Sequence, residues 1–234
     1  MAEEIRKHWT RGGRRPGAGR PITPGRLIAS ERHKPRPDLK KGEAAHITMR
    51  VVEELVGLRN AECYQAVHRA LTSVYDRPGI RIIGASVQRT HIHLLAEADD
   101  AEGLSHGMQV FQISLAKHLN RAYSTRAKLA KRRRGQVFID RYREEVVSTA
   151  VQARAAWLDL VNNWRKHDEH DGARGNAIDP YSSASSFDGW SEPVKLPEGV
   201  DPLPVHAPRT ALMKTAWREH GLIGPREVPG RKPR

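Results

Sequence analysis

The chain has 234 residues, of which 38% are hydrophobic, and its 40 Lys and Arg against 27 Asp and Glu give a formal net charge of +13. This hydrophobic fraction excludes a chain that is packed throughout and favours one folded domain with polar extensions. The positive surplus favours nucleic acid as partner over a merely soluble basic surface, because neutralised phosphates release condensed counterions.

Cysteine content and hydropathy indicate the cellular compartment in which the protein folds. Cys63 is the only cysteine, so neither a disulfide within the chain nor a cysteine-based zinc site can form. We find no signal peptide and no apolar run of about 18 residues. We therefore expect a cytoplasmic protein that makes no contact with a membrane.

The first 41 residues are predicted to be a flexible basic arm. They hold 12 Lys or Arg against 4 Asp or Glu, which accounts for +8 of the net charge. Gly and Pro in the stretch from Arg11 to Pro21 disfavour regular structure. Such an arm either lies along phosphates or in a minor groove, or serves as a disordered leader.

A strand, a helix and a hairpin are predicted next. His46–Val51 alternates with period two, and Leu58–Tyr75 has apolar residues near helical spacing. Ile80–Val87 and His91–Glu97 are predicted strands, and the turn at 88–90 makes them a hairpin. The apolar face of this helix includes Cys63, which we expect to be buried.

The second half of the domain is predicted to hold two more helices and a strand. Asp99 or Asp100 caps a helix that runs to about Tyr123. Gln136–Asp140 is a predicted fourth strand, with Val146 and Val147 as its candidate extension, and Thr149 caps a last helix through Lys166. The element order predicts an α+β fold, a ferredoxin-like antiparallel sheet with helices packed on it.

Residues 168–234 are rich in Gly, Pro and Ser and are predicted to form an irregular extension. One short helix is expected from Arg209 to His220, with Leu212, Ala216 and Trp217 facing inward. The predicted organisation is therefore an arm at 1–41, a domain at 42–167 and a C-terminal extension at 168–234.

His91 and His93 are the candidate metal ligands. They lie two apart in a predicted strand, so alternation sends both imidazoles to one face while Ile92 points into the core. Asn162 and Asn163 follow near a helix end. Imidazoles and an amide, without a thiolate, suit Mg²⁺ or Mn²⁺ better than structural zinc. Such a cation would bind and orient a scissile phosphate.

Three sequence blocks resemble those of a known family. The blocks Thr90–Glu97 (THIHLLAE), Gly135–Tyr142 (GQVFIDRY) and Leu160–His167 (LVNNWRKH) resemble the motifs of the REP-associated tyrosine transposases. These belong to the bacterial HUH single-strand DNA transposases of the IS200-like type. Stretches of the C-terminal extension and the Gly-rich basic leader are also similar to one branch of that family.

The resemblance implies roles for individual residues. His91 and His93 match the two metal-ligating histidines, and Asn163 matches the third ligand, an amide. The family's nucleophilic tyrosine stands one helical turn before that amide, at the position of Asp159. No tyrosine occurs between Thr149 and Lys166, so this chain departs from the family at its nucleophile.

Four explanations of Asp159 stay open. The carboxylate could act as a general base or further metal ligand in a hydrolytic nuclease, or Tyr142 could serve as nucleophile instead. The register of the last helix could differ from the family's, or strand transfer could be lost. Asp159 could also be an ordinary solvated helix residue, since a carboxylate is a poor substitute for a phenolate in forming a lasting bond to phosphorus.

The candidate DNA contacts are basic. Arg143 stands where related sequences often have His, and an arginine there suits a phosphate contact. Candidate contacts are Arg11, Arg14, Arg15, Arg20, Arg126, Lys128, Lys131, Arg132, Arg133, Arg134, Arg141 and Arg143.

Three functions remain under consideration. The first is metal-assisted nicking and strand transfer on single-stranded or hairpin DNA. The second is a domesticated module that binds such hairpins without cutting them. The third, RNA binding, rests on charge alone. The sequence leaves monomer and homodimer undecided.

Overall fold

The structure, a computed structural model, describes residues 37–169 and 175–230. Most of the predicted arm, with Arg11, Arg14, Arg15 and Arg20, lies outside the described residues. The strands are β1 (Ala44–Arg50), β2 (Ile80–Val87), β3 (His91–Ala98) and β4 (Arg143–Val147). The helices are α1 (Ala61–Thr72), α2 (Ala101–Arg126), α3 (Ala150–Lys166) and α4 (Ala211–Lys214), with 3₁₀ turns at Glu53–Leu55, Ser183–Ser186 and Ala216–His220.

The four strands form one antiparallel sheet in the order β2-β3-β1-β4. The two central strands, β1 and β3, are not consecutive in the chain. Helix α1 connects β1 to β2, β2 and β3 form a hairpin, and α2 connects β3 to β4. This arrangement confirms the predicted ferredoxin-like α+β class. In the register of β1 against β3, Thr48 stands opposite His93 and Arg50 opposite His91.

Each face of the sheet is covered by a separate apolar layer. On one face, α1 and α2 pack against Ile47, Met49 and Ile92. On the other face, α3 and the C-terminal segment pack against Leu95 and Ile83. Gly84 in β2 permits this second contact, because an added Cβ would stand 2.4 Å from Cδ2 of Leu160. Among the described residues, we find no helix both long and apolar enough to cross a bilayer.

Side-chain caps fix where the helices begin. Asp100 accepts from the amide of Gly103 at the start of α2, and Asn60 accepts from that of Cys63 at the start of α1. Thr149 and Gln152 form a capping box at the start of α3. The predicted caps at Asp100 and Thr149 are confirmed, whereas α1 begins three residues later than predicted because Asn60 caps it.

The prediction of a fourth strand at Gln136–Asp140 is wrong. β4 is Arg143–Val147, and Phe138 makes only an isolated bridge with Val51. The Gln136 amide donates to the carbonyls of Phe138 and Ile139 and so turns this stretch back on itself. β4 was hard to identify because it lies at the sheet edge, where charged residues replace the apolar alternation.

The C-terminal segment packs along α3 and is tied to it by polar contacts. The Asn162 amide donates to the carbonyls of Gly224 and Glu227 at 2.9 and 2.8 Å. The helix predicted at Arg209–His220 is interrupted at Thr215, which ends α4 and precedes a 3₁₀ turn. Trp217 is buried as predicted, and Met213 is buried beside it, whereas Leu212 and Ala216 are only partly covered.

A buried ion pair joins the same segment to the loop before α1. The Arg59 guanidinium donates to both carboxylate oxygens of Asp179, at 3.0 and 2.8 Å, and to the carbonyl of Val87. Asp179 is 1% exposed and also accepts from the amide of Tyr181. The C-terminal segment is therefore anchored at two places on the domain.

Candidate metal and DNA-binding site

A cleft of about 530 Å³ lies where β1, β3 and α3 meet. Alternation along β1 turns His46, Thr48 and Arg50 toward it, while the residues between them face the α1–α2 layer. The same alternation along β3 turns His91 and His93 toward it. The two central strands therefore supply the floor of the cleft.

The wall of the cleft comes from one face of α3. Asp159, Asn163 and Lys166 line it, at spacings of four and three residues that place side chains on the same helical face. The packing of α3 on the sheet thus sets these side chains against the strand histidines. The sequence-predicted residues His91, His93 and Asn163 all reach this one cleft.

His93 stands at the centre of the polar contacts. Asn163 Nδ2 lies 2.8 Å from His93 Nε2, and His46 Nε2 lies 3.1 Å from His93 Nδ1. Thr48 Oγ1 is 3.3 Å from the same Nδ1. The His91 and His93 rings are not splayed apart, since their centroids are 4.7 Å apart, and both line the cleft although His93 is buried.

Burial disfavours the charged form of His46, His91 and His93. It lowers the pKa of His93 well below its ordinary value, and the neighbouring His46 and His91 lower it further. Burial, with smaller effects from His167, Arg50 and Lys166, lowers the pKa of His91 to about 4. Burial also lowers the pKa of His46, against the opposing effect of Asp159. Neutral imidazole is the form that ligates metals.

The donor atoms of the cleft fit a divalent cation. Asn163 Oδ1 is buried and makes no hydrogen bond within the described chain, so an oxygen ligand is available beside His93. Two neutral imidazoles and an amide oxygen form a set that Mn²⁺ accepts, with water completing the coordination. His91, His93 and Asn163 are therefore the residues that would hold such an ion in the manner of the resembling family.

Asp159 is part of the cleft. Its Oδ2 lies 3.6 Å from His46 Nε2 and 3.8 Å from His93 Nδ1, and its Oδ1 lies 3.8 Å from Lys166 Nζ. Its side chain is 21% exposed. The interpretation of Asp159 as an ordinary solvated helix residue is therefore wrong.

Two histidines of the cleft were missed by sequence analysis. His46 precedes Thr48 by two residues on the cleft face of β1, and His167 caps the end of α3 with its ring centroid 5.4 Å from that of His91. A signal for His46 was available, because it begins the predicted alternating strand. Finding it also required the pairing of β1 with β3, which lies between residues far apart in sequence.

Tyr142 lies away from the cleft. It is 5% exposed and packs with the apolar layer of α1 and α2, on the opposite face of the sheet. Its ring would have to leave that core to reach the cleft. The hypothesis that Tyr142 replaces the missing nucleophile stays a prediction, and the cost of exposing a buried aromatic side chain opposes the movement that it requires.

The candidate DNA contacts divide into two groups. Arg141 and Arg143 line the cleft, where Arg143 pairs with Glu145 at 2.9 Å and its side chain is 69% exposed. The basic run from Arg126 to Arg134 does not line it. Within that run, Arg133 serves the fold by donating to Asn120 and to the carbonyl of Gln136. The other basic residues of the run are Arg126, Lys128, Lys131, Arg132 and Arg134.

The run nevertheless lies at the same end of the sheet as the cleft. Arg126 donates to the carbonyl of Gly57, and the amide of Gly57 bonds to the carbonyl of Arg89, two residues before His91. Lys128, Lys131 and Arg134 are exposed.

The low pKa of His91 predicts a pH-dependent stability. Between about 4 and the ordinary value near 6.5, the unfolded chain binds a proton at this residue and the folded chain does not. The free energy of unfolding is thus expected to fall as pH drops from 6.5 to 4, and His91→Gln should reduce this fall by roughly 2 kcal/mol. Urea unfolding of wild type and His91→Gln between pH 6.5 and 4, in EDTA to remove metal ions, measures the free energy of unfolding.

His106→Gln provides the control for this measurement. His106 is exposed on α2, away from the cleft, so its replacement controls for the loss of a histidine outside the cleft. An identical pH profile for wild type and His91→Gln would show that the folded state does not hold the His91 ring neutral.

Comparisons with known proteins agree with the resemblance noted in the sequence. Residues 43–157 match the family described as "Transposase IS200 like". A solved structure, "Structure of the REP associates tyrosine transposase bound to a REP hairpin", is similar at 14% identity and a TM-score of 0.43, over 75% of this chain and 92% of that chain. A comparison with curated proteins gives no match.

Proposed function

We propose that this chain, whose residues 43–157 match the IS200-like transposase family, binds single-stranded or hairpin DNA in the cleft and nicks it with the help of a divalent cation. The observation that carries the proposal is the convergence of His91, His93 and Asn163 on one cleft. The net charge of +13 supports a polyanionic substrate.

Each group of the cleft has a part in this proposal. The basic side chains of Arg50, Arg141 and Lys166 would position the phosphate backbone. His91, His93 and Asn163 would hold the cation, which when bound polarises a scissile phosphate. The short contacts of His93 with its neighbours keep its ring in one orientation, so the ligand set is prepared before DNA arrives.

Asp159 determines the product that we expect. A carboxylate that attacked phosphorus would form a mixed anhydride while the bond to the 3′-oxygen of the preceding nucleotide breaks. Water hydrolyses such an anhydride readily, so no lasting covalent bond to DNA would accumulate. Water activated in the cleft would give the same products by direct hydrolysis. The proposed reaction is therefore nicking without a stable protein–DNA adduct.

A second candidate function is hairpin binding without cleavage. The absence of a tyrosine from α3 and the burial of Tyr142 favour it. Such a protein would retain the DNA-binding surface of the family and lack its strand transfer.

An end-labelled DNA hairpin with a single-stranded flank, incubated with the full chain and Mn²⁺, tests both functions. We expect a nick in wild type, its loss in His93→Gln, and its retention in the His106→Gln control. Binding by wild type without a nick would refute nicking and leave the hairpin-binding module. A failure to bind DNA hairpins, with or without competing RNA hairpins, would refute both.

A further inference from the structure

The contacts of Asp159 define a second set of metal-type ligands on the other edge of His93. His46 Nε2, His93 Nδ1 and Asp159 Oδ2 are separated by 3.1, 3.6 and 3.8 Å. His46, His93 and Asp159 can thus each offer one ligand atom within 4.8 Å of the other two. Asn163, by contrast, faces the opposite nitrogen, His93 Nε2.

The spacing of the three atoms suits a tetrahedral metal ion. With bonds of about 2.0–2.1 Å to zinc, ligand atoms of a tetrahedron stand about 3.3 Å apart. The observed separations fall on either side of that value. Two imidazoles and one carboxylate are also a ligand set found at catalytic zinc ions that keep a fourth position open.

We propose that His46, His93 and Asp159 form a site for a borderline divalent transition metal such as Zn²⁺, distinct from the set of His91, His93 and Asn163. In this site the carboxylate that stands at the nucleophile position is a metal ligand. The fourth position opens into the cleft, because the three side chains form part of its lining.

The surroundings of the three ligands support this assignment. Lys166 lies near the other carboxylate oxygen, Oδ1, so Oδ2 is left to face the histidines. Ligation of His93 through Nδ1 places a proton on Nε2. Asn163 Oδ1 lacks a hydrogen-bond partner in the described chain, and it can accept a hydrogen bond from this Nε2–H when the amide group is rotated so that Oδ1 replaces Nδ2. Asn163 would then orient the ligand ring rather than bind the metal.

Charge also separates the two sets. The set with Asp159 contributes one negative charge to the ion, whereas the set with Asn163 contributes none. A carboxylate within reach of two imidazoles therefore favours the side of Nδ1 for a cation that accepts nitrogen ligands. His93 belongs to both sets through different nitrogens, and a neutral imidazole, which has one unprotonated nitrogen, ligates through only one of them at a time.

Titration of the metal-free full chain with Co²⁺ tests the proposal, since tetrahedral Co²⁺ absorbs strongly in the visible range and octahedral Co²⁺ only weakly. We expect a strong band in wild type, displaced by Zn²⁺. The variants His46→Gln and Asp159→Asn should lose it or bind at least 10-fold more weakly, whereas His91→Gln should bind within about 3-fold of wild type.

Three results would overturn the proposal. They are no Co²⁺ binding by wild type, only weak absorption typical of octahedral coordination, or a pattern in which His91→Gln weakens binding and Asp159→Asn does not. Circular dichroism of every variant separates loss of a ligand from loss of the fold. The inference rests on the cleft of the proposed function, but its test uses no DNA, so a chain that binds Co²⁺ and not DNA would refute only that function.

Discussion

Asp159→Tyr is expected to give a covalent protein–DNA adduct that wild type does not form. A tyrosine at this position would stand one turn before Asn163, on the face of α3 that lines the cleft. Its phenolate oxygen would bond to phosphorus while the bond to the 3′-oxygen of the preceding nucleotide breaks, leaving a 5′-phosphotyrosine and a free 3′-hydroxyl. Denaturing gel electrophoresis of labelled hairpin DNA, incubated with Mn²⁺, would detect the adduct.

Asp159→Phe is the matched control, because it supplies the ring without the hydroxyl. Asp159→Phe should form no adduct, although it should bind the hairpin as tightly as Asp159→Tyr does. Loss of the carboxylate removes the proposed site with His46 but leaves the set of His91, His93 and Asn163 for Mn²⁺. If Asp159→Tyr binds hairpin and Mn²⁺ and still forms no adduct, Asp159 does not occupy the nucleophile position.

Arg59→Leu is expected to lower the free energy of unfolding by about 3–5 kcal/mol, because it leaves the buried carboxylate of Asp179 without its partner. Burial already raises the pKa of Asp179, and the hydrogen bonds and charge of Arg59 oppose this rise. Without the guanidinium, folding requires either an unpaired buried charge or a protonated carboxyl. Urea unfolding at neutral pH measures the loss.

Two further variants define the cause of this loss. The double variant Arg59→Leu/Asp179→Leu should recover much of the free energy of unfolding that Arg59→Leu loses, because the ion pair is then replaced by apolar groups. Arg226→Leu removes an exposed pair with Glu192 and should cost less than about 1 kcal/mol. An Arg59→Leu cost as small as that of Arg226→Leu would mean that the buried pair does not hold the C-terminal segment on the domain.

Much of the fold was predictable because periodicity is local. The strands β2 and β3 and the extent of α3 follow from alternation, apolar spacing and the cap at Thr149. The edge strand β4 was misplaced, since an edge strand with charged residues lacks the apolar pattern that identifies its neighbours. The interruption at Thr215 was likewise invisible to a pattern of apolar spacing.

The sequence by itself determined that His91 and His93 share a face of one strand and that Asp159 and Asn163 share a face of one helix, because backbone geometry fixes the direction of side chains within an element. Only the tertiary structure decided that Asn163 and Asp159 meet opposite nitrogens of His93, that His46 joins them, and that Tyr142 is buried on the other face. These contacts depend on the register of β1 against β3 and on the packing of α3 over the sheet. Both bring together residues from distant parts of the chain, and local spacing carries no information about such pairings.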